Sequence, residues 1–172
     1  MTIKTDRLLI RPIVKNDWKA VGAIWKDFHK SPYAEFDMPH NLNEEDLRNR
    51  IEKWEKANAG TDHMFFAVCL QETVIGYIAF NKRPDSYEIG YCFHSDYSGK
   101  GYAKESHAAL FSYIKNLGIQ RLSARTAIRN LPSVALLKSL GFCQTGLEEV
   151  SFYKDGAGRD IFFEGGIFNL NL

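Results

Sequence analysis

A short glycine-rich turn has the residue types and spacing that suit the binding of a phosphate group. It lies between a strand-like and a helix-like segment and consists of Ser98, Gly99, Lys100, Gly101, Tyr102 and Ala103. The first backbone N–H groups of a helix lack partners within the helix, and glycines let an anion approach them closely. The helix dipole adds partial positive charge at the same place. The turn fits neither a Walker loop nor a dinucleotide-binding fingerprint.

The segment before the turn contains a candidate general base. Tyr87–His94 is rich in aromatic and β-branched residues, which predicts a strand. Gly90 interrupts it and predicts a β-bulge, which would free backbone groups for a ligand. Glu88 is an ionisable residue within an otherwise apolar strand, so it is a candidate base that acts through a water. The alternative is a strand-edge glutamate that faces solvent.

The rest of the sequence predicts the elements that position these residues. Helical spacing predicts four helices, and short apolar or alternating segments predict about seven strands. The helices are expected at Trp18–Phe28, which Asn16 and Asp17 would cap, and at Asn43–Gly60, Ala103–Leu117 and Leu131–Leu140. The strands are expected at Leu8–Ile13, Met64–Leu70, Val74–Phe80, Tyr87–His94, Arg121–Ala127, Phe142–Tyr153 and Ile161–Leu170.

The composition predicts one folded domain, residues 1–172. Hydrophobic residues make up 45% of the chain and charged residues 25%, values that exclude a disordered protein. The formal net charge of +1 argues against binding to nucleic acid through bulk charge. The N-terminus carries charge where a signal peptide would be apolar, and no apolar segment approaches membrane-spanning length. We therefore expect a cytoplasmic protein without a membrane partner.

The cysteines and histidines lack the spacing of disulfide-linked or metal-binding residues. Cys69, Cys92 and Cys143 lie far apart in apolar strand-like segments, so we expect buried free thiols. The five histidines are scattered, and we predict no metal site. Cys92 lies two residues before His94, but no third orienting group is apparent. A buried packing thiol is therefore favoured over a nucleophile.

The glycine-rich turn resembles the pyrophosphate-binding loop of the GNAT acetyltransferases, which has the pattern Gln/Arg-x-x-Gly-x-Gly/Ala. Gly101 and Ala103 match this pattern, whereas Ser98 departs from its first position. The order of the predicted elements is also similar to the GNAT fold over the whole chain. The resemblance implies an α+β fold with a mixed, mostly antiparallel sheet, four flanking helices and a splay between the fourth and fifth predicted strands.

Further motifs resemble the RimJ/RimL branch of this family, whose members acetylate the N-termini of ribosomal proteins. Asn130-x-x-Ser133 followed by Leu140–Phe142 resembles the Asn-x-x-Ser…Leu-Gly-Phe element of that branch. The segments Glu88–Tyr91 and Gly101–Glu105 are similar to it as well. Several motifs in the same order and spacing are more specific than any one of them.

The resemblance implies which residues bind acetyl-CoA, the co-substrate of the family. The cradle for its pyrophosphate would be Gly99, Lys100, Gly101, Tyr102 and Ala103. Backbone groups that the splay leaves free would bind the pantetheine arm and the thioester carbonyl, namely those of Tyr91, Cys92 and Phe93. Asn130 and Ser133 would also contact the coenzyme.

The resemblance also implies the roles of catalytic residues. Many members place a Tyr four residues before the Gly of Leu-Gly-Phe, where this chain has Leu137. Ser133 is therefore the predicted donor of a proton to the leaving thiolate, with Tyr97 and Tyr153 as alternative donors. Asn130 would contact the coenzyme or orient a water. Capping of a helix start is the alternative for Ser133 and Asn130. Glu88 is the predicted base.

The acceptor pocket is expected between the segment that joins the first two helices and the last hairpin. Its expected walls and contacts are Trp25, Tyr33, Phe36, Met38, Phe152 and Glu88. Glu35 and Asp160 are candidates to meet a positively charged amine. Core or lid packing is the simpler alternative for most of the aromatic residues.

The sequence thus predicts an acetyl-CoA-dependent N-acetyltransferase that acts by direct attack of a primary amine, with a protein N-terminus as the expected acceptor. One alternative acceptor is a small amine, such as a polyamine, an amino acid or an aminoglycoside. Another alternative is a module that binds coenzyme A with little or no turnover. We expect no metal and no nucleic-acid partner. The residues leave the oligomeric state open, a homodimer included.

Overall fold

The computed structural model describes all 172 residues, Met1–Leu172. The strands are β1 (Ile3–Lys4), β2 (Leu8–Pro12), β3 (His63–Leu70), β4 (Thr73–Lys82), β5 (Tyr87–Phe93), β6 (Arg121–Ala127), β7 (Cys143–Lys154) and β8 (Asp160–Asn171). The helices are α1 (Trp18–Phe28), α2 (Glu44–Ala57), α3 (Tyr102–Asn116) and α4 (Leu131–Ser139). Short 3₁₀ turns lie at Lys15–Asp17, Ala34–Phe36 and Ser95–Tyr97.

The eight strands form one sheet in the order β1-β2-β3-β4-β5-β6-β8-β7. Only β5 and β6 pair in parallel, and every other pair is antiparallel. This mixed sheet with four helices confirms the predicted fold class. The sequence does not predict β1, because two residues are too few to show a strand period.

Asparagine side chains cap the N-termini of two helices, whereas the predicted side-chain cap of α1 is wrong. The Asn43 side chain accepts hydrogen bonds from the N–H groups of Glu45 and Asp46 at the start of α2, at 2.9 and 3.3 Å. Asn130 caps α4 in the same way. Asp17 does not cap α1, because its carboxylate instead forms a two-pronged ion pair with Arg11 at 2.7 and 2.8 Å.

Helices cover both faces of the sheet. One face packs under α3 and α4, and its largest fully buried side chains include Ile10, Ile75, Ile78, Phe80, Leu110, Ile114, Leu122 and Phe168. The other face packs under α1 and α2, and its buried residues include Ile13, Val21, Ile24, Trp25 and Ile51. The apolar runs of β3 and β4 follow from this coverage of both faces. None of the helices is both long and apolar enough to span a membrane.

A gap opens between β5 and β6. The two strands pair only at Tyr87 with Leu122 and at Glu88 with Ser123. Beyond this point β5 stays paired with β4 and β6 stays paired with β8, so the two strands diverge. The predicted splay is therefore confirmed. The predicted bulge at Gly90 is wrong, because the register between β4 and β5 is unbroken there. The gap results from the divergence of the strands and not from an extra residue.

Candidate active site

The glycine-rich turn leads from the gap into α3 and presents unpaired donors. Gly99 and Gly101 have φ of +72° and +81°, a left-handed conformation in which glycine is strongly favoured. Gly101 precedes the helix, and no side chain caps it. The backbone N–H groups from Gly99 to Lys104 donate no hydrogen bond within the chain, and the first bonded N–H of the helix is that of Glu105, which reaches Gly101 O at 3.0 Å.

These donors and the two glycines fit a pyrophosphate. The N–H groups lie in successive residues around the start of a 15-residue helix, where the dipole favours negative charge. A β-carbon at Gly99 would meet no atom within 4 Å, so this side of the loop is open. Binding of a ligand there stays a prediction for each residue of the loop, Gly99, Lys100, Gly101, Tyr102 and Ala103.

Arg7 supports the loop from the other end of the chain. Its guanidinium donates to Lys100 O at 2.9 Å, forms an ion pair with Glu105 at 2.6 Å, and lies 4.5 Å from the centre of the Tyr102 ring. Although burial raises the pKa of Glu105, hydrogen bonds from Thr5 and Arg7 hold it below its ordinary value. The sequence gives no local signal for Arg7, because it lies far along the chain from the loop.

The side chains of Tyr91 and Ser133 join β5 to α4 across the gap. Their hydroxyl oxygens are 2.8 Å apart, and the Asn130 side chain accepts a hydrogen bond from Ser133 N at 3.3 Å. Burial raises the pKa of Tyr91 to about 12, although the bond to Ser133 acts in the opposite direction. The Tyr91 hydroxyl is therefore protonated at neutral pH. The capping role considered for Asn130 is present, and its contact with a coenzyme stays a prediction.

His107 packs behind Tyr91 and connects it to the start of α3. The two rings meet edge to face with their centres 4.8 Å apart. His107 Nδ1 lies 2.7 Å from Ala103 O, and since a carbonyl only accepts, Nδ1 carries the proton. Burial lowers the pKa of His107 to about 4, so the ring is neutral at neutral pH. Its Nε2 is buried without a hydrogen-bond partner.

Cys92 lies on the opposite face of β5, beside the apolar cluster under α1 and α2. Burial raises the pKa of Cys92 to about 12, and the charges of Asp37 and Asp27 raise it further. The side chain is therefore a thiol at neutral pH, which favours the packing interpretation over a nucleophile. Cys69 is buried as expected, whereas Cys143 is exposed, because it lies at the start of the edge strand β7.

Glu88 lies where β5 and β6 separate, and its side chain is 25% exposed. Its carboxylate lies 3.2 Å from the guanidinium of Arg83 and 3.9 Å from that of Arg125. Arg125 also contacts Glu148 at 3.6 Å. Glu88 therefore belongs to a network of four charged side chains at the fork. Its role as a base stays a prediction.

Trp25 does not line an acceptor pocket, so this prediction is wrong. Its side chain is buried, with 1% of its surface exposed, and its indole N–H donates to the Tyr77 hydroxyl at 2.9 Å. The ring of His40 stacks on it with centres 4.2 Å apart. The physical reason is the apolar face of α1, which places Trp25 against the sheet. Core packing, the simpler alternative, is correct for this residue.

The segment between α1 and α2 does contact the β7–β8 hairpin. Phe36 and Phe152 both pack against Phe163, with ring centres 5.4 and 5.7 Å apart. The Tyr153 hydroxyl donates to Ala34 O at 3.3 Å. Tyr33 is half-buried in the same segment. Binding of an acceptor by Tyr33, Phe36, Phe152 and Glu88 stays a prediction.

Contact of Glu35 and Asp160 with an amine stays a prediction, and a further carboxylate, Asp37, lies in the same segment as Glu35. Glu35 is exposed, and Asp160 forms an ion pair with Lys154 at 2.8 Å. Asp37 follows the 3₁₀ turn between α1 and α2, and its carboxylate accepts a hydrogen bond from Met38 N at 2.7 Å. The sequence signal for Asp37 is weak, because a lone acid between aromatic residues is ordinary in a loop. No group of three or more potential ligand side chains has the geometry of a metal site.

Comparison with known proteins identifies the family of this chain. A family model described as an acetyltransferase (GNAT) domain matches residues 7–143. YnaD of Bacillus subtilis (strain 168), named as an uncharacterized N-acetyltransferase, is 34% identical over 169 residues, which cover 95% of each chain. A solved GNAT-family acetyltransferase from Bacillus anthracis is 28% identical and covers 99% of this chain and 98% of its own, with a TM-score of 0.79.

The fold also matches RimL, the ribosomal L7/L12 α-N-protein acetyltransferase, solved in complex with coenzyme A. The TM-score is 0.87, and the match covers 100% of this chain and 98% of RimL. At 17% identity this likeness shows the fold alone. The family match over most of the chain shows an acyltransferase that uses acetyl-CoA. The chain belongs to the GNAT acetyltransferase family.

Proposed function

We propose that this enzyme transfers an acetyl group from acetyl-CoA to the N-terminal amine of a protein, by direct attack of the amine on the thioester. The observation that carries the proposal is the gap between β5 and β6. The gap opens toward the loop with free N–H groups, and the Tyr91 and Ser133 hydroxyls meet across it. In this proposal the free N–H groups of the loop, the free edge of β5 and the two hydroxyls form one site.

The loop and the free edge of β5 hold acetyl-CoA in this proposal. The N–H groups of Gly99–Ala103 bind the pyrophosphate. The backbone edge of Tyr91, Cys92 and Phe93 has no strand partner on the side of the gap, so its polar groups are available to the pantetheine arm and the thioester carbonyl. A hydrogen bond to the thioester carbonyl would stabilise the negative charge that develops on its oxygen during attack.

Ser133 supplies a proton to the thiolate that leaves. Its hydroxyl lies at the first turn of α4, 2.8 Å from the Tyr91 hydroxyl, and the Asn130 side chain accepts a hydrogen bond from the Ser133 backbone N–H. Tyr91 is a proton donor at neutral pH, because burial raises its pKa to about 12. Leu137, which stands where many family members have a tyrosine, is fully buried in the core and offers no proton.

Three other residue assignments belong to the same proposal. Glu88 accepts a proton from the amine through a water, and its position at the fork supports this. Asn130 orients the coenzyme or a water in addition to capping α4. Tyr33, Phe36 and Phe152 contact the acceptor in this proposal, and the packing of Phe36 and Phe152 on Phe163, which joins the two segments that carry these residues, supports it. We also propose that residues 1–172 act as one domain, in the cytoplasm.

Direct attack without an enzyme-bound acetyl group is favoured by the state of Cys92. Its raised pKa of about 12 leaves almost no thiolate at neutral pH. Cys92 is therefore not expected to carry an acetyl group, and the amine attacks the thioester itself. A protein N-terminus is a suitable acceptor, because its amine has an unusually low ordinary pKa, about 8, and so is partly unprotonated near neutral pH.

The experiment that tests this function is a thiol-release assay with acetyl-CoA and a panel of amines. The panel contains peptides with free N-termini, the same peptides N-acetylated, and a polyamine, an amino acid and an aminoglycoside. We expect release of coenzyme A with free N-termini and none with the acetylated peptides. Turnover with small amines alone would show that the acceptor is a small amine and not a protein N-terminus. If no amine caused release of coenzyme A, the proposed transferase would be reduced to a module that binds coenzyme A without turnover.

A further inference from the structure

The acceptor amine reaches the enzyme mostly as an ammonium, and it must lose a proton before it can attack. Four carboxylates near the gap and the last hairpin already have partners within the protein, whereas Glu35, in the segment between α1 and α2, is exposed and has no ion pair. Glu88 contacts two arginines, Glu148 contacts Arg125, Asp160 pairs with Lys154, and Asp27 accepts from the backbone N–H and hydroxyl of Ser95 at 2.7 and 2.9 Å. Their negative charge is therefore largely satisfied within the protein.

Asp37, like Glu35, forms no ion pair with a lysine or arginine. The basic side chain that approaches its carboxylate is His40, with Nε2 at 3.9 Å. His40 stacks on Trp25, and burial lowers its pKa to about 4, with the charges of His29 and Arg50 acting in the same direction. His40 is therefore neutral at neutral pH, and the Asp37 charge stays without a cation.

A chain of contacts links Asp37 to β5 on the face of the sheet under α1. His40 Nε2 lies 3.9 Å from its carboxylate, the His40 ring stacks on Trp25, and Trp25 donates to Tyr77, which pairs with Cys92 of β5. The Asp37 side chain is about half exposed, since 51% of its surface is accessible. The charge of Asp37 raises the pKa of the Cys92 thiol on β5 and of the Tyr153 hydroxyl on β7, and it acts on Tyr77 of β4 in the same direction. The titratable and charged groups around it are His29, His40, Arg50, Tyr77, Cys92 and Tyr153.

We propose that the Asp37 carboxylate binds the ammonium group of the acceptor and accepts its first proton. The inference rests on the proposed acetyl transfer and deepens it. An accessible carboxylate without a cation, linked through His40, Trp25 and Tyr77 to the strand β5, offers the charge that an incoming ammonium needs. Partial burial also raises the pKa of Asp37, which brings it closer to neutrality and favours proton uptake.

The protons balance over the whole reaction. Asp37 takes one proton from the ammonium and releases it to solvent. The amine lone pair then forms the C–N bond, and the C–S bond breaks with its electron pair on sulfur. The second amine proton passes through the water at Glu88 to solvent, and the thiolate takes a proton from Ser133, which solvent restores. One ammonium and one acetyl-CoA thus give one amide, one free thiol and one released proton.

The test compares Asp37→Asn with wild type on the best amine of the panel. We expect kcat/KM for the amine to fall by about 10²-fold to 10⁴-fold, the range for loss of a general base, while the Kd of acetyl-CoA stays within about twofold. The loss should shrink at alkaline pH, because the amine then arrives without its extra proton. Asp37→Glu should restore part of the activity, since it returns the carboxylate.

Two further variants distinguish the role of Asp37 from the general loss of a carboxylate and from the role of Glu88. Glu45→Gln removes an exposed carboxylate at the start of α2 and should leave kcat/KM unchanged. Glu88→Gln should lower turnover without the rescue at alkaline pH. Circular dichroism and the Kd of acetyl-CoA verify that each variant folds.

An Asp37→Asn enzyme with wild-type kcat/KM and pH profile would overturn the inference and leave the proposed acetyl transfer intact. A deficit that persists unchanged at alkaline pH would also overturn it. A wild-type enzyme that acetylates none of the amines would instead overturn the proposed function, and the inference with it.

Discussion

At the scale of single residues, the proposed proton transfer depends on two hydroxyl groups that meet across a gap between strands. Tyr91 comes from β5 and Ser133 from α4, and their oxygens are 2.8 Å apart. A hydroxyl that must give up a proton needs a second group to hold its orientation, and Tyr91 provides one without carrying charge. His107 fixes the Tyr91 ring from behind by edge-to-face packing. In the proposal, this arrangement takes the place of the proton-donating tyrosine that many family members have at the position of Leu137.

Replacement of Ser133 tests this arrangement. We expect Ser133→Ala to lower kcat by about 10²-fold, the smaller end of the range for general acid catalysis, with little change in the Kd of acetyl-CoA. Tyr91→Phe should have a smaller effect, about fivefold, since it removes one hydrogen bond of about 1 kcal/mol and keeps the ring. Steady-state kinetics and calorimetric titration with acetyl-CoA measure both quantities.

Ser139→Ala is the matched control for this prediction. Ser139 ends the same helix, is exposed, and donates only to Leu136 O at 2.8 Å. We expect wild-type kinetics from this variant. Equal kcat values for Ser133→Ala and Ser139→Ala would remove Ser133 from its proposed role, and a kcat loss in Tyr91→Phe larger than in Ser133→Ala would make Tyr91 the direct donor.

At the scale of elements, the start of α3 differs from the starts of α2 and α4. Those two helices begin with Asn43 and Asn130, whose side chains accept backbone N–H groups. The residue before α3 is Gly101, which has no side chain to accept them. A serine, threonine or asparagine cap would stabilise the helix by about 1 kcal/mol but would occupy the donors. The absence of such a cap keeps the N–H groups free for a phosphate.

Gly101→Glu tests the loop as a phosphate site. We expect this variant to lose measurable binding of coenzyme A, because it places an anion among the N–H groups and a β-carbon 3.4 Å from the Arg7 guanidinium. It also strains a left-handed position, at a cost of about 1–3 kcal/mol in folding stability. Calorimetric titration with coenzyme A measures the affinity.

Gly118→Glu controls for the strain, because Gly118 also has a left-handed φ, of +83°, and lies beyond the other end of α3. We expect it to lose similar stability and to bind coenzyme A normally. If Gly101→Glu bound coenzyme A as tightly as Gly118→Glu, the loop would not be the phosphate site.

At the scale of the whole molecule, His107 couples the stability of the fold to pH. It lies between the gap and the core with a pKa of about 4 in the folded state, below its ordinary value of 6.5. At a pH between these two pKa values, His107 is therefore protonated in the unfolded chain and neutral in the folded protein. By linkage, the free energy of unfolding decreases as pH falls through this range, by roughly 3 kcal/mol in full. His40 acts in the same direction.

Urea unfolding near pH 7 and near pH 4.5 measures this dependence. We expect His107→Gln to lose less stability on acidification than wild type, because the glutamine does not titrate. His63→Gln serves as control, since His63 is exposed on β3, and it should lose as much stability as wild type. An identical pH dependence in wild type and His107→Gln would contradict the account.

The sequence predicts most of the fold because its signals are local. Helical spacing, the glycine stops and the alternating strands locate four helices and seven of the eight strands. The splay is predicted from the family resemblance, but its cause is not Gly90. The missed features join residues that are distant in sequence. Arg7 reaches the loop from the N-terminus, and Asp37 meets His40, which stacks on Trp25, only after α1 packs on the sheet and buries Trp25.

The most direct test of the central claim is a crystal structure with acetyl-CoA bound. We predict pyrophosphate oxygens within hydrogen-bond distance of the N–H groups of Gly99–Lys104, and the thioester in the gap between β5 and β6, beside Ser133. Acetyl-CoA bound at another surface, or a thioester outside this gap, would contradict the account.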